Sequence, residues 1–215
     1  MKIIEPSFYF LEPIDSKAIM AKIERAGRTC YKSEDRIADG TSERFIASII
    51  KRGHESVLEH ASISVMVICD RGVSHEIVRH RIASYSQEST RYCNYANGKF
   101  DGELTFIKPL FWDNGSAIYR EWAWVLRKIE DTYKWMIGMG ASPEQARSIL
   151  PNSLKTELVM TMNLREWRHF FKLRTDPAAH PQMREIAGMM LEEFKKELPV
   201  IFGDIGGGKN HAVDS

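Results

Sequence analysis

The chain has 215 residues, 43% of them hydrophobic and 27% charged, with a formal net charge of +1. That length carries one domain with a substantial core, and the near-neutral balance leaves no global field to recruit nucleic acid or an anionic membrane. No apolar run approaches the ~20 residues that span a bilayer. The first residues lack a signal peptide's apolar region, and Cys30, Cys69 and Cys93 stand far apart without a CxxC. These features point to a reducing cytoplasm and away from a disulfide framework or zinc site.

Residues 1–12 alternate loosely through Ile3, Ile4, Phe8 and Phe10 and read as a strand. Asp15-Ser16 signals the N-cap of a helix through Arg28, and Gly40-Thr41-Ser42 opens a second helix that runs to Lys51 and stops at Gly53. The following Gly53-His54-Glu55-Ser56-Val57-Leu58-Glu59-His60 invites a metal reading, but its histidines are six apart rather than the four of HExxH. Six residues turn a helix by roughly 600°, which leaves the two rings on different faces. A structural or capping role and a ligand-contacting role both remain for this segment, and no metal is expected. Ser62–Cys69 is β-branched and bounded by polar residues, hence a buried strand. Asp70-Arg71-Gly72 reads as a turn, and Val73–Arg81 as a short helix.

Next comes Arg79-His80-Arg81-Ile82-Ala83-Ser84-Tyr85-Ser86-Gln87-Glu88-Ser89-Thr90-Arg91-Tyr92, expected as a loop or irregular strand. Its apolar residues are too scattered for a core stripe. Arginine's planar fork suits phosphate oxygens and heterocycle edges, hydroxyls and amides add neutral donors and acceptors, and the tyrosines add flat faces. The composition suits an anionic ligand that carries a ring; a solvated charged loop is the plainer reading.

Leu104–Ile107 reads as a strand stopped by Pro109. From Asn114 to Met139, Ile118, Trp122, Val125, Ile129, Tyr133, Met136 and Ile137 form one apolar helical stripe, expected as core or subunit interface. Ser142-Pro143-Glu144 caps a helix that carries Arg147 and stops before Pro151. Leu158–Met162 reads as a short strand. Asn163 then opens a helix in which Trp167, Phe170 and Phe171 look like core, with Arg174 near the Trp167 face. Pro177 and Pro181 break the chain before a last helix over Gln182–Leu198. Residues 1–202 read as a single catalytic domain, and the glycine-rich tail 203–215 as disordered.

The RHR-x7-S pattern of Arg79-His80-Arg81 and Ser89, followed by Arg91-Tyr92, resembles the signature of the flavin-dependent thymidylate synthases. Gly53-His54-Glu55, Ala146-Arg147-x-x-Leu150-Pro151, and Asn163-x-Arg165 with Leu173-Arg174 resemble further segments of that family, in order over about residues 53–185. The resemblance implies a mixed α/β protomer whose central, mostly antiparallel sheet is flanked by helices. It also implies a homotetramer with active sites shared between subunits. The implied activity is reductive methylation of dUMP to dTMP, with 5,10-methylenetetrahydrofolate as carbon donor and NADPH as reductant through FAD. It places dUMP at Glu76, Arg79, Gln87, Glu88, Ser89, Thr90, Arg91, Arg147 and Arg174. It places FAD at Ser56, Arg79, His80, Arg81, Gln87, Asn163, Arg165 and His169, with His54 near flavin and folate. Some members carry Asn-Glu where this chain has Ser86-Gln87, and glutamine is common where it has Glu76.

Methylation at uracil C5 needs electron density there. None of the three cysteines sits in a basic nucleophile setting, and Ser89 has no obvious base, His80 being nine residues away. Activation is therefore expected from polarisation, with Arg174 stabilising negative charge on the pyrimidine edge. Arg91, Arg147 and backbone N–H groups of Ser86–Ser89 are expected to hold the phosphate. The alternatives are methylation of a related pyrimidine, an Arg/Tyr-rich nucleic-acid-binding module, and a hydrolase using the His/Glu clusters as metal ligands. The net charge and the histidine spacings oppose the last two.

Overall fold

The computed structural model describes residues 1–206. Pro6 lacks the N–H a ladder needs and interrupts the first extended stretch, which becomes β1 (Lys2–Ile4) and β2 (Ser7–Phe10). Helix α1 (Ser16–Tyr31) starts where the Asp15 carboxylate accepts the Ala18 N–H at 2.9 Å. Helix α2 (Thr41–Lys51) ends before Gly53, whose φ of 72° suits a residue without Cβ. A 3₁₀ turn over Glu55–His60 leads into β3 (Ser62–Asp70).

Asp70 corrects the expected turn. Its side chain accepts the Val73 N–H at 2.8 Å and caps α3 (Arg71–Ile77), which begins two residues earlier and ends four residues sooner than the sequence suggests. Arg79-His80-Arg81 therefore lies beyond the helix, and part of the following stretch is regular strand, β4 (Ser84–Gln87). The chain continues through β5 (Thr105–Ile107), α4 (Ala117–Gly138), α5 (Pro143–Ala146), β6 (Lys155–Asn163), α6 (Leu164–Arg174), α7 (Pro181–Glu197) and α8 (Pro199–Phe202). Pro181 is not a breaker but occupies the first turn of α7, where a missing N–H costs nothing.

The fold is mixed α/β, with an antiparallel sheet in the order β2-β3-β6-β4 flanked by helices. β1 and β5 form a separate parallel pair, Lys2 opposite Thr105 and Ile4 opposite Ile107. In β6 burial alternates strictly, Thr156, Leu158, Met160 and Met162 being inside, as a half-buried strand requires.

The chain divides into two compact units. The first comprises residues 1–9, 66–81 and 85–160, with a core of Tyr95, Leu104, Phe106, Leu126, Tyr133 and Leu154. Within it, α4 buries Leu126, Glu130 and Tyr133, and Glu130 accepts the Leu104 N–H at 2.9 Å. The expected apolar stripe of α4 is only partly core. Of its residues, Tyr133 is buried and Trp122, Ile129, Met136 and Ile137 pack against the cluster, whereas Ile118 and Val125 are exposed; Trp124 and Trp135, outside the stripe, are exposed too.

Among the described residues, the second unit comprises 10–65, 82–84 and 161–206. Its core is aromatic: Trp167 lies 4.8 Å from Phe194 between ring centroids and stacks on Phe171, and Phe202 meets Phe194 edge-on. Gly27 lets α1 approach α2, since a Cβ there would come within 2.5 Å of the Phe45 ring. Of the tail, residues 207–215 lie outside the described residues; Asp204 pairs with Arg168.

Candidate active site

The residues implicated by sequence fall into two groups, one in each unit. In the first unit the turn after α3 presents Arg79 and Arg81 to solvent and buries His80 between them. Tyr85 pins this turn, its hydroxyl contacting the carbonyls of Ile77 (2.9 Å) and His80 (2.8 Å). Neither Arg79 nor Arg81 has a carboxylate partner among the described residues.

At the end of β4, Gln87 donates its amide hydrogens to Ser74 Oγ (2.9 Å) and Thr156 Oγ1 (3.1 Å). The Ser74 hydroxyl has a single hydrogen, which it gives to the Arg71 carbonyl (2.9 Å). Ser74 can therefore only accept from Gln87, and this fixes which way the amide faces. The Gln87 Oε1 is left as the acceptor the residue can present to a ligand.

Glu88 is anchored on both carboxylate oxygens, by Tyr95 Oη at 2.7 Å and Lys155 Nζ at 2.9 Å. Burial, reinforced by the contact with Glu88, pushes the Tyr95 hydroxyl well above the usual phenol range, so it stays a donor. Burial alone would lower the Lys155 ammonium, but Glu157 and Glu88 outweigh it and hold its pKa above the ordinary value. The backbone corrects one expectation. Ser84–Gln87 is strand, and the Glu88 N–H is bonded to the Glu157 carbonyl at 2.9 Å, so it is spent in the sheet rather than offered to phosphate.

Beyond Glu88 the chain turns, the Ser89 carbonyl accepting the N–H groups of Tyr92 and Cys93. Ser89 Oγ accepts the Arg91 N–H at 3.3 Å, and among the described residues no histidine or carboxylate takes its proton. Thr90 is buried, and Arg147 Nη1 reaches to 3.5 Å from its hydroxyl. Arg147 stands just after the capping box of Ser142 and Gln145 that opens α5. Arg91 is exposed, 3.1 Å from Glu144 and over the Tyr92 ring. Glu76 is half-buried on α3.

In the second unit, His54 and Ser56 are exposed at the start of the 3₁₀ turn, and His54 Nδ1 lies 3.2 Å from the Tyr31 hydroxyl. Asn163 caps α6, its Oδ1 accepting the Glu166 N–H at 2.9 Å. Arg165, in the first turn, is exposed and 2.6 Å from Glu59. His169 is exposed further along α6, and Arg174 is half-buried in its last turn. Arg168, which no motif singled out, is buried and reaches both Glu55 (3.1 Å) and Asp204 (2.7 Å), along with the Ile201 carbonyl. It braces the segment that carries His54 and Ser56.

The family model described as thymidylate synthase complementing protein (Thy1) matches residues 15–200. The chain belongs to this family. Flavin-dependent thymidylate synthases that it matches include that of Pyrococcus furiosus, 38% identical over 189 residues covering 87% of this chain and 77% of the relative. Another is that of Geobacter sulfurreducens, 34% identical over 87% of this chain and 82% of the relative. A crystal structure of the UMP/dUMP methylase PolB from Streptomyces cacaoi, bound with 5-Br dUMP, superposes with a TM-score of 0.73 at 23% identity. It covers 94% of this chain and 96% of that one, and shares the fold.

For a Thy1 family member, the residues that sequence reading missed are those that hold others in place: Ser74 and Thr156 behind Gln87, Tyr85 beneath the arginine turn, and Arg168 beneath His54 and Ser56. The signal for Arg168 was a charged residue directly after Trp167 in an aromatic helix stripe. Ser74 and Thr156 lie 82 positions apart in the sequence, and no local spacing brings them to one amide.

Proposed function

We propose that the protein converts dUMP to dTMP in the cytoplasm by reductive methylation. 5,10-Methylenetetrahydrofolate supplies the carbon and NADPH the reducing equivalents through FAD, and the working enzyme is a homotetramer. The carrying observation is the convergence at the end of β4. An acceptor-only Gln87, the Ser89–Thr90 turn, Arg91 and Arg147 gather there, a set suited to a phosphorylated nucleoside.

The residues assigned to FAD fit a dinucleotide. Arg79 and Arg81 are exposed cations without carboxylate partners among the described residues, and Ser56, Arg165 and His169 add exposed polar donors. Gln87, His80 and Asn163 complete the assigned set, with His54 beside flavin and folate. Bound flavin, once reduced by NADPH, would supply the hydride that completes the methyl group.

The chain's own contribution is position and charge. Arg147 and Arg91 hold the phosphate, Gln87 accepts from a nucleotide N–H or O–H, and Glu76, Glu88, Ser89, Thr90 and Arg79 complete the nucleotide contacts. Arg174 stabilises negative charge on the pyrimidine edge and so raises electron density at C5. Two observations support polarisation over covalent addition. Burial, with Asp70 adding to it, pushes the Cys69 thiol far above the usual range, so it supplies no thiolate. Ser89 has no base to activate it among the described residues.

Tetramer assembly draws support from the exposed apolar residues of α4, Ile118, Trp124, Val125 and Trp135, because monomeric proteins rarely leave so much apolar surface wet. Among the described residues no helix is long and apolar enough to cross a membrane.

The deciding experiment gives purified protein FAD, NADPH, dUMP and methylenetetrahydrofolate and follows flavin absorbance and dTMP. Bleaching by NADPH followed by dTMP formation is expected; protein that takes up no flavin, or makes no dTMP, overturns the reading. Arg174→Ala should retain FAD and lose dTMP formation. Unchanged turnover in that variant removes Arg174 from the mechanism.

A further inference from the structure

A second concentration of positive charge lies outside every residue assigned above. Within the second unit, α1, α2 and the turn between them line a cavity of about 650 Å³. Arg28, Lys32, Arg36, Arg44 and Arg52 border it, against a single carboxylate, Asp35. On a chain whose net charge is +1, five cations around one hollow are a local feature rather than a reflection of composition.

These cations are not held by structure alone. Arg28 is committed, pairing with Glu24 at 2.9 Å and lying 4.7 Å over the Phe45 ring. Among the described residues Arg52 bonds only the carbonyl and hydroxyl of Ser48, both neutral. Lys32, Arg36 and Arg44 have no carboxylate partner among the described residues. Gathering like charges costs free energy through mutual repulsion, and an anion that neutralises them recovers it. Ser33 and Thr41 add hydroxyls to the lining, and Tyr31 and Phe45 add ring faces. Tyr31 also carries the hydroxyl that meets His54 at 3.2 Å, so the hollow adjoins the residue assigned to flavin and folate.

We propose that this hollow is a binding site for the anionic end of a co-substrate, recognised through its phosphate or carboxylate oxygens. Two ligands of the proposed reaction carry such ends: the 2′-phosphate of NADPH and the glutamate carboxylates of the folate. Which of them is bound rests on the proposed reaction, whereas the existence of an anion site does not.

The test is Arg36→Glu with Arg44→Glu, both on exposed side chains where folding is not at stake. KM is measured for NADPH and NADH, and for methylenetetrahydrofolate with one and with five glutamates. We expect the KM of one charged form to rise at least about tenfold, the loss of about one charge-assisted contact, while kcat and the KM for dUMP move less than twofold. A rise for NADPH and not NADH assigns the 2′-phosphate; a rise for pentaglutamyl folate and not monoglutamyl assigns the carboxylates. No change in any of the four overturns the site while leaving the synthase reading intact. Should the unmodified protein form no dTMP, calorimetric binding of adenosine 2′,5′-bisphosphate and of penta-γ-glutamate still decides. Binding weakened at least about tenfold in the variant and by added salt supports the site. No binding by the unmodified protein, or equal binding by both, overturns it.

Discussion

Because Ser74 spends its hydrogen on Arg71, replacing it with alanine removes the acceptor that orients Gln87 and leaves an amide hydrogen unpaired. An unsatisfied group of this kind costs about 1–3 kcal/mol. Ser74→Ala is expected to weaken dUMP binding by up to about 5- to 150-fold, measured by titrating dUMP into the flavin-loaded protein. Ser89→Ala probes the other side of the site. With no base to activate it, Ser89 contributes a hydrogen-bonding group and not a bond to carbon. The variant should keep kcat within about tenfold of the parent, whereas loss of a true nucleophile costs several orders of magnitude. A burst of covalent nucleotide–protein adduct that disappears in the variant would contradict this.

At the scale of elements, Asn163 carries two assignments that can be separated. Its Oδ1 caps α6, so Asn163→Ala should lower unfolding free energy by about 1 kcal/mol, and Asn163→Asp should restore it, read by urea denaturation. Asp has lost the amide N–H donors, so flavin affinity should stay lowered in both variants. α4 makes a different prediction: Trp124→Glu together with Ile118→Glu should reduce the mass seen by light scattering below that of the parent. Much of this was legible from local chemistry. Asp15, Gly53, Ser142 and Asn163 each mark a helix boundary through a cap or a glycine that the structure contains. What local reading missed depended on competition or distance. Asp70-Arg71-Gly72 has turn composition, but an aspartate before a helix serves as its cap, and the cap prevails once β3 delivers it there. The α4 stripe was visible by its period, but a period cannot distinguish a face turned to its own core from one left outside. The arginine-rich signature was legible by resemblance, while its supports at Ser74, Thr156 and Tyr85 required the fold.

For the molecule as a whole, acid stability should depend on the second unit's buried guanidinium. Hydrogen bonding from Arg168 holds the Asp204 carboxyl below its ordinary range despite partial burial. A carboxyl whose folded pKa is lowered stabilises the fold above its unfolded value, near ~3.9, and loses that contribution as pH falls through the folded value. The urea midpoint of the parent should therefore exceed that of Asp204→Asn at neutral pH, and the gap should close below about pH 4. A gap that stays constant across that range would assign the difference to packing.

Arg168 also ties residues 201–204 to the segment that carries His54 and Ser56. The same guanidinium that binds Asp204 and the Ile201 carbonyl grips Glu55, the neighbour of His54 and Ser56. Trimming the chain before Asp204 would leave that charge with one carboxylate where it now has two, in a setting where unpaired charge is costly. Such shortened forms should show faster protease cleavage at residues 53–60 and leak flavin on dilution, although no residue assigned to flavin has been cut away. Residues 201–204 thus act as a latch on the segment that carries His54 and Ser56.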